Sequence, residues 1–273
     1  MKITPYQLTM LTFCYMFSGF FLGGVRNFSV AVASFLALCL YAFAGYRCAH
    51  AEKRSFAHFL SVMVLPRWGK PLYLAMLALM GVQFISSLVG ISEHIRILSE
   101  FLPLWFIGLS LVFMAFFASR CGIFTVGRLS ELLVLLLLAL LVTRPFLPFA
   151  PAFQDVPITW EGTIDFVSIA PIFYLLSKTV TAGDPSASHS LAASRGDMKN
   201  RARCVTLFLL AGGLLAVSVY GFLFLFEVRA GDVLLRLFLW CASFVRLAVL
   251  GAAFGDLAWE RPFAAGGELQ KNY

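Results

Sequence analysis

The stretch ELLVLLLLALL, residues 131–141, is apolar at every position after its first and contains no turn residue. A membrane-spanning helix needs about 20 mostly apolar residues, and this stretch lies inside a run of that length. The whole chain shares the character: 60% of its residues are hydrophobic and 13% are charged, against about 45–50% and about 25% in soluble domains. We therefore expect an all-α polytopic membrane protein.

Eight runs of suitable length follow one another along the chain. They cover residues 8–24, 28–46, 72–98, 103–119, 129–147, 163–181, 204–226 and 232–255. We expect each to cross the lipid bilayer, so residues 1–258 form a single transmembrane domain. Small, polar and then basic residues at 182–203 predict a flexible cytoplasmic linker, and residues 259–273 form a short cytoplasmic tail.

The basic residues collect on one side of this predicted topology. With a cytoplasmic N-terminus, 15 of the 21 lysines and arginines lie in inner segments, and only Arg26, Arg96, Arg144 and Arg229 lie outside. Cytoplasmic loops of membrane proteins carry such an excess of basic residues. We expect a multi-pass cell-membrane protein with both termini in the cytoplasm, and the net charge of +7 does not call for a nucleic-acid partner.

The first predicted span ends in a glycine-rich stretch, MFSGFFLGGVRN, residues 16–27. No small-residue cleavage site follows, so we do not expect a cleaved signal peptide. Glycine in a membrane helix permits close helix packing or lets the backbone unwind where it lines a cavity. Transporters bind substrates at such broken helices. Ser18, Gly19 and Gly23 are therefore either packing residues at a helix end or ligand-binding residues.

The sixth predicted span carries a matching interruption. Pro171 stands near its centre, where it removes a backbone hydrogen bond, and Ser168 and Tyr174 flank it. A simple proline kink explains this pattern. However, we interpret the first and sixth spans as the first helices of two five-helix halves, and paired interruptions in two halves indicate a transporter-type binding site. A small ligand would then lie between these two spans.

Three charged residues within apolar surroundings have structural or gating roles in this scheme. Arg128 and Glu131, at spacing i, i+3, begin the fifth predicted span and can pair on one helix face. Arg246 lies roughly fourteen residues into the last span. A central arginine costs at least ~2.5 kcal/mol on insertion, so it should face protein or water, in assembly or in function.

Motifs of metal, cofactor or enzyme chemistry are missing from the sequence. The six cysteines form no CxxC pair, and no histidine spacing suits zinc. No Walker loop, GxSxG or HExxH stretch occurs. We therefore expect no metal, no cofactor and no enzymatic activity.

Two motifs resemble one family, the B subunits of spore germinant receptors (the GerAB family). The opening ITPYQLTMLTFCYMFSGFFLGG is similar to that family's glycine-containing first helix, and CGIFTVGRLSELLVLLLLALL is similar to its glycine then Arg-x-x-Glu signature. The proline-rich segment 148–165, which we expect to be an outer loop, and the basic GDMKNRAR stretch follow the family's order. The matching residues are Ile3, Gln7, Leu8, Ser18, Gly19, Gly122, Arg128 and Glu131.

The resemblance implies the inverted five-plus-five fold of amino acid–polyamine–organocation transporters, LeuT-like, with an incomplete second half because the family has ten helices. It implies a membrane subunit of a nutrient receptor in the inner spore membrane. Such a subunit binds a small germinant, such as an amino acid, and assembles with other receptor subunits. Two alternatives stay open: a proton-coupled amino-acid transporter, and a membrane assembly protein that kept the fold and lost the site.

Overall fold

Seven α-helices make up the part of the protein that the structure, a computed structural model, describes. This part comprises residues 3–22, 28–49, 69–96, 103–143, 175, 191–225 and 233–259, and no strand occurs in it. The helices are α1 Pro5–Leu22, α2 Phe28–Ala49, α3 Gly69–Arg96, α4 Leu104–Cys121, α5 Ile123–Thr143, α6 Leu191–Leu225 and α7 Val233–Trp259. The predicted all-α class is confirmed for these residues.

Each described helix coincides with one of the predicted apolar runs, and one further predicted run remains. That run, 163–181, lies outside the described residues except for Leu175, which is helical and buried. The stretch 131–141 forms the second half of α5. Long apolar runs thus predict where helices form, since a chain in an apolar setting has to satisfy its backbone groups internally.

Two helices begin well before the start of the predicted run. Helix α6 starts at Leu191, so the flexible linker predicted at 182–203 is wrong for residues 191–203, which are helical. Alanine, leucine, methionine and the basic residues of LAASRGDMKNRAR favour helix strongly enough to carry it past the apolar run. Helix α5 starts at Ile123 rather than 129, directly after Gly122, whose φ of 88° ends α4 in the left-handed conformation that glycine favours.

Helix α1 is the centre of the bundle. Every residue from Gln7 to Phe20 is buried, and α1 packs against α5, α6 and α7. Helix α7 in turn contacts α3, α4 and α5, while α2 packs on α6. A helix that is buried on all sides has to be apolar all round, which explains the dense aromatic content of α1.

Helices α1 and α6 approach closely at two glycines. A side chain on Gly212 would overlap the carbonyl oxygen of Thr9, and one on Gly213 would overlap Leu38 of α2. The Thr9 hydroxyl donates a hydrogen bond across this contact to the Phe208 carbonyl, at 2.9 Å. Small residues and interhelical hydrogen bonds of this kind hold helices together in membranes.

Three aromatic rings join α1 to α7. Phe13 and Phe17 stack with their ring centroids 5.2 Å apart, and the ring of Phe238 meets Phe17 edge-on at 5.6 Å. All three side chains are fully buried. Such pairs contribute about 0.5–1.5 kcal/mol beyond the area that they bury, so this cluster fixes how α7 lies on the central helix.

The outer surface of the bundle is apolar. Leu40 of α2 and Phe113 of α4 are 70% exposed, and Trp105 is 69% exposed. Among the described residues, the segment Arg203–Leu223 is long and apolar enough to cross a membrane, and shorter apolar segments occur in α2, α3, α4 and α7. Soluble monomers rarely expose large contiguous apolar patches, so this surface needs an apolar environment or a partner.

Candidate functional site

Arg246 of α7 is the charged group at the centre of the molecule. Its side chain is only 2% exposed. The Nε atom donates a hydrogen bond to the Ser87 hydroxyl of α3 at 3.2 Å. The Nη1 atom donates a hydrogen bond to the Tyr15 carbonyl of α1 at 3.1 Å. The sequence predicts that this arginine faces protein or water, and the structure places it in the protein interior.

The same guanidinium lies over an aromatic ring. Its Cζ atom is 4.7 Å from the centroid of the Tyr15 ring, a cation–π contact that strengthens when water is excluded. Burying a charge is costly unless hydrogen bonds and partners offset the lost hydration. The free-energy cost of burying Arg246 is therefore reduced by a hydroxyl, a carbonyl and an aromatic ring, which come from two different helices.

Arg246 also connects two helices that touch each other only slightly. Helices α1 and α3 contact each other little, while both of them contact α7. The arginine reaches from α7 to Tyr15 on one side and to Ser87 on the other. A single side chain of α7 is thus hydrogen-bonded to both α1 and α3.

The Tyr15 carbonyl accepts more than one extra donor. The Ser18 hydroxyl donates to it at 3.1 Å, in addition to Arg246. In a regular α-helix the N–H of Gly19 also points at this oxygen, which has two lone pairs. In a regular helix, three donors therefore share this one acceptor.

The Tyr15 hydroxyl is the second unusual polar group of this region. It is buried, and within the described part of the chain it has no hydrogen-bond partner. Leaving a buried hydroxyl unsatisfied costs about 1–3 kcal/mol. The sequence pattern does not single out Tyr15, because a tyrosine in a run of aromatic residues is typical of a packed core. Its spacing of three residues from Ser18 is the only hint that the sequence offers.

Of the six predicted ligand-binding residues, the structure describes two. Ser18 and Gly19 lie on α1 and are buried, and Ser18 meets Arg246 at the Tyr15 carbonyl. The backbone opening expected at Gly19 is not present, because α1 stays helical through Leu22. Close packing of the surrounding phenylalanines supports the helix here. The other four predicted members lie outside the described residues: Gly23, Ser168, Pro171 and Tyr174.

The predicted pair at the start of the fifth span is not an ion pair. Arg128 is exposed, and its Cζ atom lies 4.9 Å from the centroid of the Phe124 ring. Glu131 is half-buried one turn later on α5. Both side chains are described, and no salt bridge joins them in this part of the structure. The aromatic ring one turn before Arg128 competes successfully because surface ion pairs contribute little.

Comparison with known proteins identifies no relative of this chain. No family model, no curated protein and no solved structure matches it. The resemblance to germinant-receptor B subunits therefore stays a prediction from two short motifs, and the site around Arg246 stands on its geometry alone.

Proposed function

We propose that this chain is a polytopic membrane protein with a transporter-like fold, seated in lipid through the apolar outer surface of its bundle. The exposed side chains of α2, α3 and α4 support this proposal, since lipid is the environment that makes such a surface favourable. The buried Arg246 supports it too. Charged residues inside membrane bundles face the protein interior and mark functional pathways.

Its function is to bind a small nutrient, such as an amino acid, beside α1, as the membrane subunit of a spore germination receptor. The shared Tyr15 carbonyl is the observation that carries this proposal. A ligand that binds the Ser18 hydroxyl or the Arg246 guanidinium removes that donor from the Tyr15 carbonyl. The carbonyl is then more fully available to the N–H of Gly19. Binding then changes the strength of the helix bond at the glycine, and a population shift passes the change to partner subunits.

The membrane topology is tested with reporters fused to the full chain. We expect a reporter at the C-terminus to be active in the cytoplasm, because the excess of basic residues places both ends inside. Reporters inserted at 148–162 should be active outside. A C-terminal reporter that is active outside the cell contradicts the topology, and release of the protein from membranes by alkaline carbonate contradicts the membrane proposal itself.

Nutrient binding is tested by thermal unfolding of the purified protein in detergent with each of the twenty L-amino acids. We expect at least one to raise the melting temperature, and Ser18→Ala to weaken its binding about tenfold, which is the value of one hydrogen bond to a ligand. Ser130→Ala is the matched control. Ser130 is also fully buried and also donates to the carbonyl three residues before it, Gly127, at 2.7 Å.

Three outcomes separate the functions. Binding without uptake into proteoliposomes favours a receptor subunit, and proton-driven uptake of the same amino acid favours the transporter. No stabilisation by any of the twenty amino acids leaves the assembly protein as the better description. Deletion of the gene with normal germination on every single nutrient contradicts the receptor proposal.

A further inference from the structure

We infer that a basic stripe on α6, formed by Arg195, Lys199 and Arg203, binds the phosphate groups of anionic phospholipids at the inner face of the membrane. The inference rests on the proposed membrane setting, and it names the class of lipid that the protein recognises. The apolar outer surface of the bundle does not make this distinction, since it contacts the acyl chains of every phospholipid alike.

The basic residues in the first part of α6 are evenly spaced. Arg195, Lys199 and Arg203 are four residues apart within one continuous helix. Residues at this spacing lie on one face of a helix, so the three positions form a stripe about 12 Å long. Asp197, the one acidic residue of segment 191–203, is two residues from both Arg195 and Lys199. It is therefore on the opposite side of the helix and does not interrupt the stripe.

The stripe begins where the apolar part of α6 ends. Arg203 is the first residue of the segment Arg203–Leu223, which is long and apolar enough to cross a membrane. With α6 upright in the bilayer, Lys199 is about 6 Å beyond this boundary and Arg195 about 12 Å beyond it. The headgroup layer is roughly 5–8 Å thick on each side of the hydrocarbon core. Arg203 and Lys199 are therefore at the level of the lipid phosphates, and Arg195 is within a Debye length of them, about 8 Å.

This part of α6 lies among the ends of other helices. The Arg203 side chain is exposed, and its Nε atom donates a hydrogen bond to the Tyr46 hydroxyl near the end of α2, at 3.2 Å. Helix α1 begins at the same end of the bundle, where a side chain on Gly127 of α5 would come within 3.4 Å of Gln7. The next residue, Arg128, is exposed as well. Exposed cations on two helices thus share one end of the bundle, and their summed potential attracts anions.

The chemistry of the partner follows from these charges. Each basic residue close to an anionic membrane surface raises the affinity about fivefold, and a guanidinium donates paired hydrogen bonds to a phosphate. Phosphatidylglycerol carries an unopposed negative charge, whereas the ammonium group of phosphatidylcholine offsets the charge of its phosphate. The stripe therefore prefers phosphatidylglycerol to phosphatidylcholine.

The experiment titrates the full chain in dodecyl maltoside micelles with pyrene-labelled phosphatidylglycerol or phosphatidylcholine. Energy transfer from the five tryptophans to pyrene reports binding. We expect the wild type to bind phosphatidylglycerol more tightly and inorganic phosphate not to compete at equal concentration. Lys199→Gln combined with Arg203→Gln should weaken the binding of phosphatidylglycerol about 25-fold, which is about fivefold for each lost charge, and leave that of phosphatidylcholine unchanged.

Two further double variants are the controls. Arg96→Gln combined with Arg236→Gln also removes two positive charges, but at the opposite end of the bundle, where α3 ends and α7 begins. This variant should bind phosphatidylglycerol like the wild type. Lys199→Arg combined with Arg203→Lys keeps both charges and should bind like the wild type too. It separates the charge of the stripe from the hydrogen bond that Arg203 makes to Tyr46.

The results distinguish this inference from the proposed function. Equal binding of the two lipids, equal competition by inorganic phosphate, or the same loss in both glutamine variants contradicts the lipid site. A loss in the variant that keeps both charges contradicts it as well. The membrane proposal survives each of these results provided that alkaline carbonate does not release the protein from membranes. Release by carbonate removes the membrane setting and the lipid site together.

Discussion

Replacing Gly212 by alanine is expected to lower the free energy of unfolding by about 1–3 kcal/mol. The new methyl group would overlap the Thr9 carbonyl oxygen and come within 3.0 Å of the Thr9–Thr12 face of α1 at the Thr12 Cβ. Backbone cannot move aside as a flexible side chain does, so α1 and α6 have to separate. The Thr9 to Phe208 hydrogen bond is then stretched as well. Equilibrium unfolding in detergent micelles measures the loss.

Gly255→Ala is the control for this prediction. Gly255 is also a helical glycine, on α7, but nothing lies within 4 Å of the position that its methyl group would occupy. Alanine favours the helix over glycine by about 1 kcal/mol, so this variant should be as stable as the wild type or more stable. If the two alanine variants behave alike, the close approach of α1 and α6 is wrong.

Replacing Phe17 by alanine is expected to cost about 3 kcal/mol or more. The ring touches Phe13 on its own helix and Phe238 on α7, so its loss leaves a cavity between two packed helices. In the proposed lipid environment the unfolded helices would already lie in an apolar medium. The expected loss therefore comes from the vacated packing contacts rather than from transfer out of water.

Phe113→Ala tests whether the loss is specific to the core. Phe113 lies on the outer face of α4 and is 70% exposed, so its removal should change the free energy of unfolding by less than about 0.5 kcal/mol. A comparable loss in the two variants would show that Phe113 is packed against protein and would contradict the lipid-facing surface of α4.

The helices were predictable because apolar runs are long and helix is the conformation that satisfies a backbone in apolar surroundings. The start of α6 was not predictable, since hydropathy marks where the apolar run begins and not where the helix begins. The chain from Leu191 has helical propensity of its own. Burial of Arg246 followed from its place in an apolar span. The contacts of Arg246 could not be predicted, because no local pattern shows which turn of α1 or α3 a side chain from α7 will reach.

Tyr15 shows where sequence reasoning reaches its limit for the site. A tyrosine among phenylalanines gives no sign of whether its oxygen finds a partner, because that depends on helices distant in sequence. The Tyr15 carbonyl is harder still to foresee. Its neighbours are Ser18, three residues away, and Arg246, which reaches it only after the bundle has formed. The sequence identified both of these residues, but not that they share an acceptor.

The length of α6 has a mechanical consequence. With 35 residues at a rise of 1.5 Å it measures about 52 Å, whereas the hydrocarbon core of a bilayer is about 30 Å thick. In the proposed membrane setting, the twelve residues before Arg203 continue for about 18 Å beyond the apolar segment. Its inner end carries Lys199 and Arg201 among other basic residues. In that setting, a tilt of α6 at the Gly212 contact would displace this basic end along the surface of the inner leaflet.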